Sequence, residues 1–204
     1  MLLDYAKPYI HDTALAIILG GSDERRYSWV KRALQEGTLT RLRRGLYFIK
    51  KKDSSLINAF EFAQQLYGPS YISFESALSY HGWIPEAVYT TTSASAKRGL
   101  FAKTPIGMFS YEHTPQEQFF MAVERKETKD SIYLIAHPWK ALADYMYVRR
   151  KKWLTFAEVI EDLRLDESSI EAADKGTLEE IARYYPSPRV CRFAQMILKE
   201  NKWI

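Results

Sequence analysis

The chain has 204 residues, 47% of them hydrophobic and 26% charged, with a formal net charge of +4. That balance supports one large or two small globular domains and excludes wholesale disorder. No apolar run approaches the roughly 20 residues of a membrane-spanning helix, no basic-then-apolar secretion signal opens the chain, and the single cysteine, Cys191, forbids an internal disulfide, so a reduced, cytoplasmic protein is expected.

Thr13–Leu19 predicts a short apolar helix closed by Gly20 and Gly21. Ser22 reads as an N-cap, with Asp23 and Glu24 placed against the positive end of a second helix that runs to about Glu36, and Gly37 follows as its stop. Thr38–Ile49 predicts two strands joined by a tight turn near Arg43, Arg44 and Gly45. The polar stretch Lys50–Ser55 is read as a boundary between domains 1–52 and 53–204. Helical spacing returns from Leu56 to Tyr67, and Ser73 is placed to cap a short helix through Tyr80 that stops at Gly82. From Glu86 to Glu112, β-branched residues alternate with turn signals. Phe119–Val123 and Ile132–Ala136 add strands on either side of a polar loop at Glu124–Asp130, so a small, mainly antiparallel sheet is expected. Beyond His137-Pro138, helices are predicted at about 139–150, 155–164, 168–183 and 188–200, which makes residues 138–204 a helical C-terminal part. No internal repeat or low-complexity tract interrupts this pattern.

The charge is unevenly placed. Residues 1–52 hold 11 Lys and Arg against 5 Asp and Glu, a net +6, whereas residues 53–204 are net −2. Within 22–52 the net charge is +7, a concentration that attracts polyanions, of which nucleic acid is the commonest in cytoplasm. At helical spacing, Tyr27, Val30 and Leu34 fall on one face of the second helix and Arg25, Ser28, Trp29 and Arg32 on the other, with Arg26 and Lys31 on the flanks. Trp29 is awkward on a solvent face and has the alternative of packing against the first helix or the second domain. Arginines on such a face reach guanine edges in a major groove, and Arg26 and Lys31 reach phosphates. Arg41, Arg43 and Arg44 at the hairpin tip are suited to backbone or minor-groove contact. A short helix, a basic helix and a basic hairpin in this order describe a winged helix-turn-helix. The expected fold is therefore α+β: an N-terminal winged helix-turn-helix followed by a mixed domain with a small antiparallel sheet and C-terminal helices.

Other chemistry is thinly supported. Gly20-Gly-Ser22 matches the start of a nucleotidyltransferase motif, but no Asp-x-Asp follows to hold magnesium. Glu124-x-Lys126 fits half of a common nuclease site, and no aspartate lies between Asp53 and Glu124 to supply the other half. His11, His81, His113 and His137 lack metal-ligand spacing, and no Gly-x-Ser-x-Gly elbow or phosphate-cradling glycine loop occurs. Glu75, Ser76, Tyr80 and His81 are polar enough for a site but are explained by a short capped helix, and Lys140 with Asp144 reads as a surface pair. No catalytic residue, cofactor or metal is expected. A metal-dependent nuclease and a protein-interaction module without DNA binding remain the alternatives.

Three segments, Gly37-x-Leu39-x-Arg41-Leu-Arg-Arg-Gly-Leu-Tyr47, Ser70-Tyr-Ile-Ser-Phe-Glu-Ser-Ala-Leu-Ser-Tyr-His-Gly82 and Ile135-Ala-His-Pro-Trp-Lys-Ala-Leu-Ala-Asp144, resemble in wording and order the AbiEi-type antitoxins of type IV bacterial toxin–antitoxin systems. The resemblance implies a winged helix that binds inverted repeats in its own promoter and represses it. It also implies a C-terminal domain that antagonises a nucleotidyltransferase-type toxin without forming a stable complex. Trp139 stands where that family carries an acidic residue, and the segment before the basic helix is short. Double-stranded DNA is thus the expected partner. One recognition helix per chain calls for two copies on an inverted repeat, pre-formed as a dimer or assembled on the DNA.

Overall fold

The computed structural model describes residues 5, 7–50, 58–128 and 131–201, and within them the chain is a mixed α+β protein. The first unit runs β1 (Tyr9–His11), α1 (Asp12–Leu19), α2 (Asp23–Gln35), β2 (Leu39–Arg43) and β3 (Leu46–Ile49). Helix α1 stops because Gly20 takes a φ of +58° and its N–H closes the last turn on Ala16 O at 3.0 Å. Ser22 then caps α2, its Oγ accepting the Arg25 N–H at 3.4 Å. A φ of +74° at Gly45 lets β2 reverse into β3. The three strands form an antiparallel sheet in the order β1-β3-β2. Ile10, Leu15, Val30, Ala33, Leu39, Tyr47 and Ile49 close a small core between this sheet and the two helices, each large aliphatic contributing about 1.5–3 kcal/mol.

The second unit is built on a six-stranded sheet. Its elements are α3 (Ala59–Leu66), β4 (Ser70–Ile72), α4 (Phe74–Tyr80), β5 (Thr90–Ser95), β6 (Leu100–Thr104), β7 (Gly107–His113), β8 (Val123–Glu127) and β9 (Ile132–Ala136). Five helices follow: α5 (Pro138–Arg149), α6 (Phe156–Leu163), α7 (Glu167–Glu171), α8 (Lys175–Tyr184) and α9 (Pro188–Glu200). The strand order is β6-β7-β5-β4-β9-β8, with β4·β9 and β5·β7 parallel and the other pairs antiparallel. Side chains alternate across a strand, so Phe109 and Tyr111 on β7 share one face, where Phe62 packs on Phe109 and Tyr111 donates to Ala63 O at 2.7 Å. Glu112, one residue on, meets Arg149 from the other face. Helices α3 and α5 therefore cover opposite sides of the sheet.

Several expectations need correction. The six-stranded sheet is larger than expected and mixed: three of its five pairs are antiparallel, but β4 pairs in parallel with β9 and β5 with β7. Phe119–Val123 is not a strand: Phe119 and Met121 plug the core from a turn in which Gln118 and Ala122 have positive φ. The strand is instead β8, in the segment expected to be a polar loop. Among the described residues it is an edge that pairs with β9 alone, and its charges guard against further pairing. The helix expected at 168–183 breaks in two because the Asp174 carboxylate accepts the N–H groups of Gly176 and Thr177 and starts α8 afresh. Ser73 does precede α4, yet its hydroxyl makes no cap and donates to Asp144 Oδ2 at 2.8 Å. The Lys140–Asp144 pair is not on the surface; both side chains are buried. Of the proposed boundary at Lys50–Ser55, everything after Lys50 lies outside the described residues.

Candidate nucleic-acid interface

Helix α2 faces the core differently from its apolar spacing. Val30 and Ala33 are buried and Trp29 is half-buried against the small core, whereas Tyr27, expected inside, is 62% exposed. Alanine at 33 lets the helix approach its sheet closely, and Trp29 then covers the flank of the cluster, so the buried stripe is rotated toward 26-29-30-33. The rotation takes Arg26 out of the outward set. Its guanidinium is turned onto Asp23 at 2.7 Å and Asp12 at 3.4 Å, with the Tyr27 ring alongside. Arg25, Ser28, Lys31 and Arg32 are exposed, as expected.

In the hairpin Arg41 and Arg44 are exposed. A groove of about 820 Å³ lies between α2 and the hairpin, lined by Tyr27, Lys31, Gln35, Arg41 and Arg44 and also by Asp12. Arg43 behaves differently. Its Nε and Nη2 donate to Gln65 O at 3.1 and 3.0 Å, and Nη1 donates to Arg44 O at 3.1 Å. The hairpin is thereby fastened to the carboxyl end of α3, where unsatisfied carbonyls favour a cation.

Cations that the sequence reading left unassigned gather beside it. Lys97 and Arg98, in the turn between β5 and β6, are exposed, and the Lys97 ammonium donates to Gly68 O just past the same helix end. Tyr67 fixes the turn by donating to Arg98 O at 3.1 Å. Farther on, at the end of α5, Arg150 is exposed beside Arg189, which donates to Met146 O and Tyr147 O. Lys97-Arg98 and Arg149-Arg150-Lys151-Lys152 are visible in the sequence. In a net count they are offset by residues 156–182, which are net −7 and lie on α6, α7 and α8; in the fold Lys151 does pair with Asp162 of that run, and Arg149 with Glu75 and Glu112.

The Glu-x-Lys segment takes another form. Glu124 and Lys126 pair with one another on β8 and line a cleft of about 430 Å³ with His81 and His137, whose ring centroids are 6.5 Å apart. The Lys126 ammonium holds the Glu124 carboxyl below its usual range, and burial pushes both imidazoles down. His81 Nε2–H donates to Ala136 O at 3.0 Å, and His137 Nδ1 accepts the Trp139 N–H at 3.4 Å as the N-cap of α5. Among the described residues, no group of three or more His, Cys, Asp and Glu is placed to hold a metal ion, and no helix is long and apolar enough to cross a membrane. Ser76, another polar member of α4, is absorbed into structure, its Oγ accepting the Thr92 N–H at 2.8 Å.

No protein-family model and no curated protein matches this chain.

Proposed function

We propose that the chain is a DNA-binding transcriptional repressor of its own promoter and the antitoxin of a type IV toxin–antitoxin pair. The observation that carries the DNA reading is the exposed set Arg25, Ser28, Lys31 and Arg32 on α2, with Lys31 sharing an open groove with Arg41 and Arg44 of the hairpin. The order β1-α1-α2-β2-β3, with β1 laid along β3, supports reading this unit as a winged helix-turn-helix. In this reading α2 enters the major groove, where Arg25 and Arg32 donate to guanine O6 and N7 and Ser28 contacts either base type. Lys31, Arg41 and Arg44 grip phosphates and set the register. Lys97 and Arg98, beside the fastened hairpin, continue the cationic track along the duplex. Two copies on an inverted repeat supply the affinity that one helix lacks.

The test is titration of the full chain on a fragment of its own promoter, followed by fluorescence anisotropy at roughly 50 to 300 mM salt, where each phosphate neutralised contributes about 0.9 to the slope of log K against log salt. Replacing both Arg41 and Arg44 by Ala lowers affinity and flattens the slope by up to about 1.8. An unchanged slope removes the hairpin from the interface, and salt-independent binding by the wild type overturns the reading. The antitoxin half rests on the resemblance of Ser70–Gly82 and Ile135–Asp144 to the AbiEi type. Its test is rescue of growth when the chain is co-expressed with a nucleotidyltransferase encoded beside it; absence of rescue rejects it.

A further inference from the structure

The first unit is held on one helix of the second, and it is held at both edges of its sheet. From β1, the Tyr9 hydroxyl donates to Glu61 Oε1 at 3.2 Å beside the Lys7 ammonium, which pairs with the same oxygen. The Tyr9 ring packs on Phe62 at 5.3 Å, and His11 Nε2 donates to Gln65 Oε1 at 3.0 Å. From β2, on the opposite edge, Arg43 closes on Gln65 O. Residues 61, 62 and 65 fall within one turn on one side of α3. A sheet fixed at a single edge can pivot about that edge; fixed at both, it has one orientation. Glu61 is 12% exposed in its side chain, so its carboxylate depends on these donors. Burial pushes the Tyr9 hydroxyl up to about 12, which keeps it a donor at neutral pH.

We infer that α3 is the shelf that aims the basic hairpin, and that Arg43 and Glu61 are positioning residues for DNA binding and not DNA contacts. The inference rests on the DNA-binding reading above. The Arg43 guanidinium, though exposed, directs three of its nitrogens at two backbone carbonyls, so most of its N–H donors are already engaged within the protein. The carboxyl end of α3 also seats Lys97, through Gly68 O. The shelf therefore sets the spacing between the hairpin cations and the β5–β6 turn, and a straight duplex meets both sets only when that spacing is held.

Salt dependence and sign separate positioning from contact. In the full chain on the promoter fragment, Arg44→Ala lowers the salt slope by about 0.9, as a phosphate contact does. Arg43→Met weakens binding on the order of tenfold and leaves the slope at the wild-type value. Glu61→Gln removes a negative charge, which by charge alone tightens binding to a polyanion; aiming predicts the opposite, a loss on the order of tenfold. Exchanging the pair, Lys7→Glu with Glu61→Lys, restores the ion pair and recovers binding at unchanged net charge. Melting temperatures of all variants are read alongside, and the exchange variant keeps the test decisive where Glu61→Gln unfolds. A slope reduced by Arg43→Met as much as by Arg44→Ala overturns the inference, as does Glu61→Gln binding as tightly as wild type or an exchange that recovers nothing. In those cases salt-dependent binding by the wild type leaves the DNA reading intact. Its absence removes both.

Discussion

Asp144 is fully buried, and four groups satisfy it: Tyr71 OH and Ser73 Oγ at 2.8 Å on Oδ2, Lys140 Nζ at 2.6 Å and Tyr185 OH at 2.9 Å on Oδ1. Lys140 also donates to Tyr71 OH at 2.8 Å and lies over the Tyr185 ring. The donors come from β4 and the residue after it, from α5 itself and from the end of α8, so the network pins α5 to β4 and to α8. A buried pair of this kind adds little over an apolar replacement, but removing one partner strands the other. Lys140→Met is thus expected to lower unfolding free energy by about 3–5 kcal/mol, read from the denaturant midpoint at constant m. Adding Asp144→Leu is expected to recover part of that loss; a double variant no better than the single contradicts the account. The spacing of Lys140 and Asp144 is legible in the sequence, but i,i+4 describes a solvated pair as well as a buried one. What decides between them is Tyr71 and Tyr185, which lie 69 and 41 residues away from the atoms they bond.

Helix ends carry a second kind of consequence. His81 caps α4 at its carboxyl end and His137 opens α5, and burial holds both imidazoles below the ordinary 6.5. Below that value the unfolded chain binds protons that the folded chain resists, so stability is complete above about pH 6.5 and falls as the pH drops through the folded values. The melting temperature is expected to decrease as the pH drops below about 6.5, and His81→Gln with His137→Asn to flatten that decrease, since Asn still caps. A wild-type curve flat over this range contradicts the assignment. At this scale, legibility follows the physics of each element. Helices α1, α2 and α4 carry a cap or a glycine stop and fall where their sequence predicts, as does α9, which opens on Pro188. Strands β1 and β4 have three residues each, too few for alternation to show. Strand β8 is polar because it is an edge, and the rotation of α2 depends on the room that Ala33 leaves, which no helical periodicity contains.

Across the whole molecule, folding and not chain position decides which charges are neighbours. The acidic run 156–182 occupies α6, α7 and α8, while Lys97 and Arg98 stand at the helix end that also receives Arg43. A count along the chain assigns all excess positive charge to the first quarter, because the acids of 156–182 cancel Lys97 and Arg98 in the sum whatever their place in the fold. This placement makes a prediction that the first unit alone does not. If the duplex track continues past the hairpin, Lys97→Ala with Arg98→Ala in the full chain weakens binding to specific and unrelated DNA by similar factors, because phosphate contacts carry no sequence information. The salt slope is expected to fall by about 0.9 for each phosphate lost. Lys97 also fastens the turn to Gly68 O, so Arg98→Ala alone, whose backbone carbonyl keeps its bond from Tyr67, isolates the electrostatic part. A slope unchanged in both variants confines the interface to α2 and the hairpin, and loss restricted to the specific sequence assigns these residues to base reading instead.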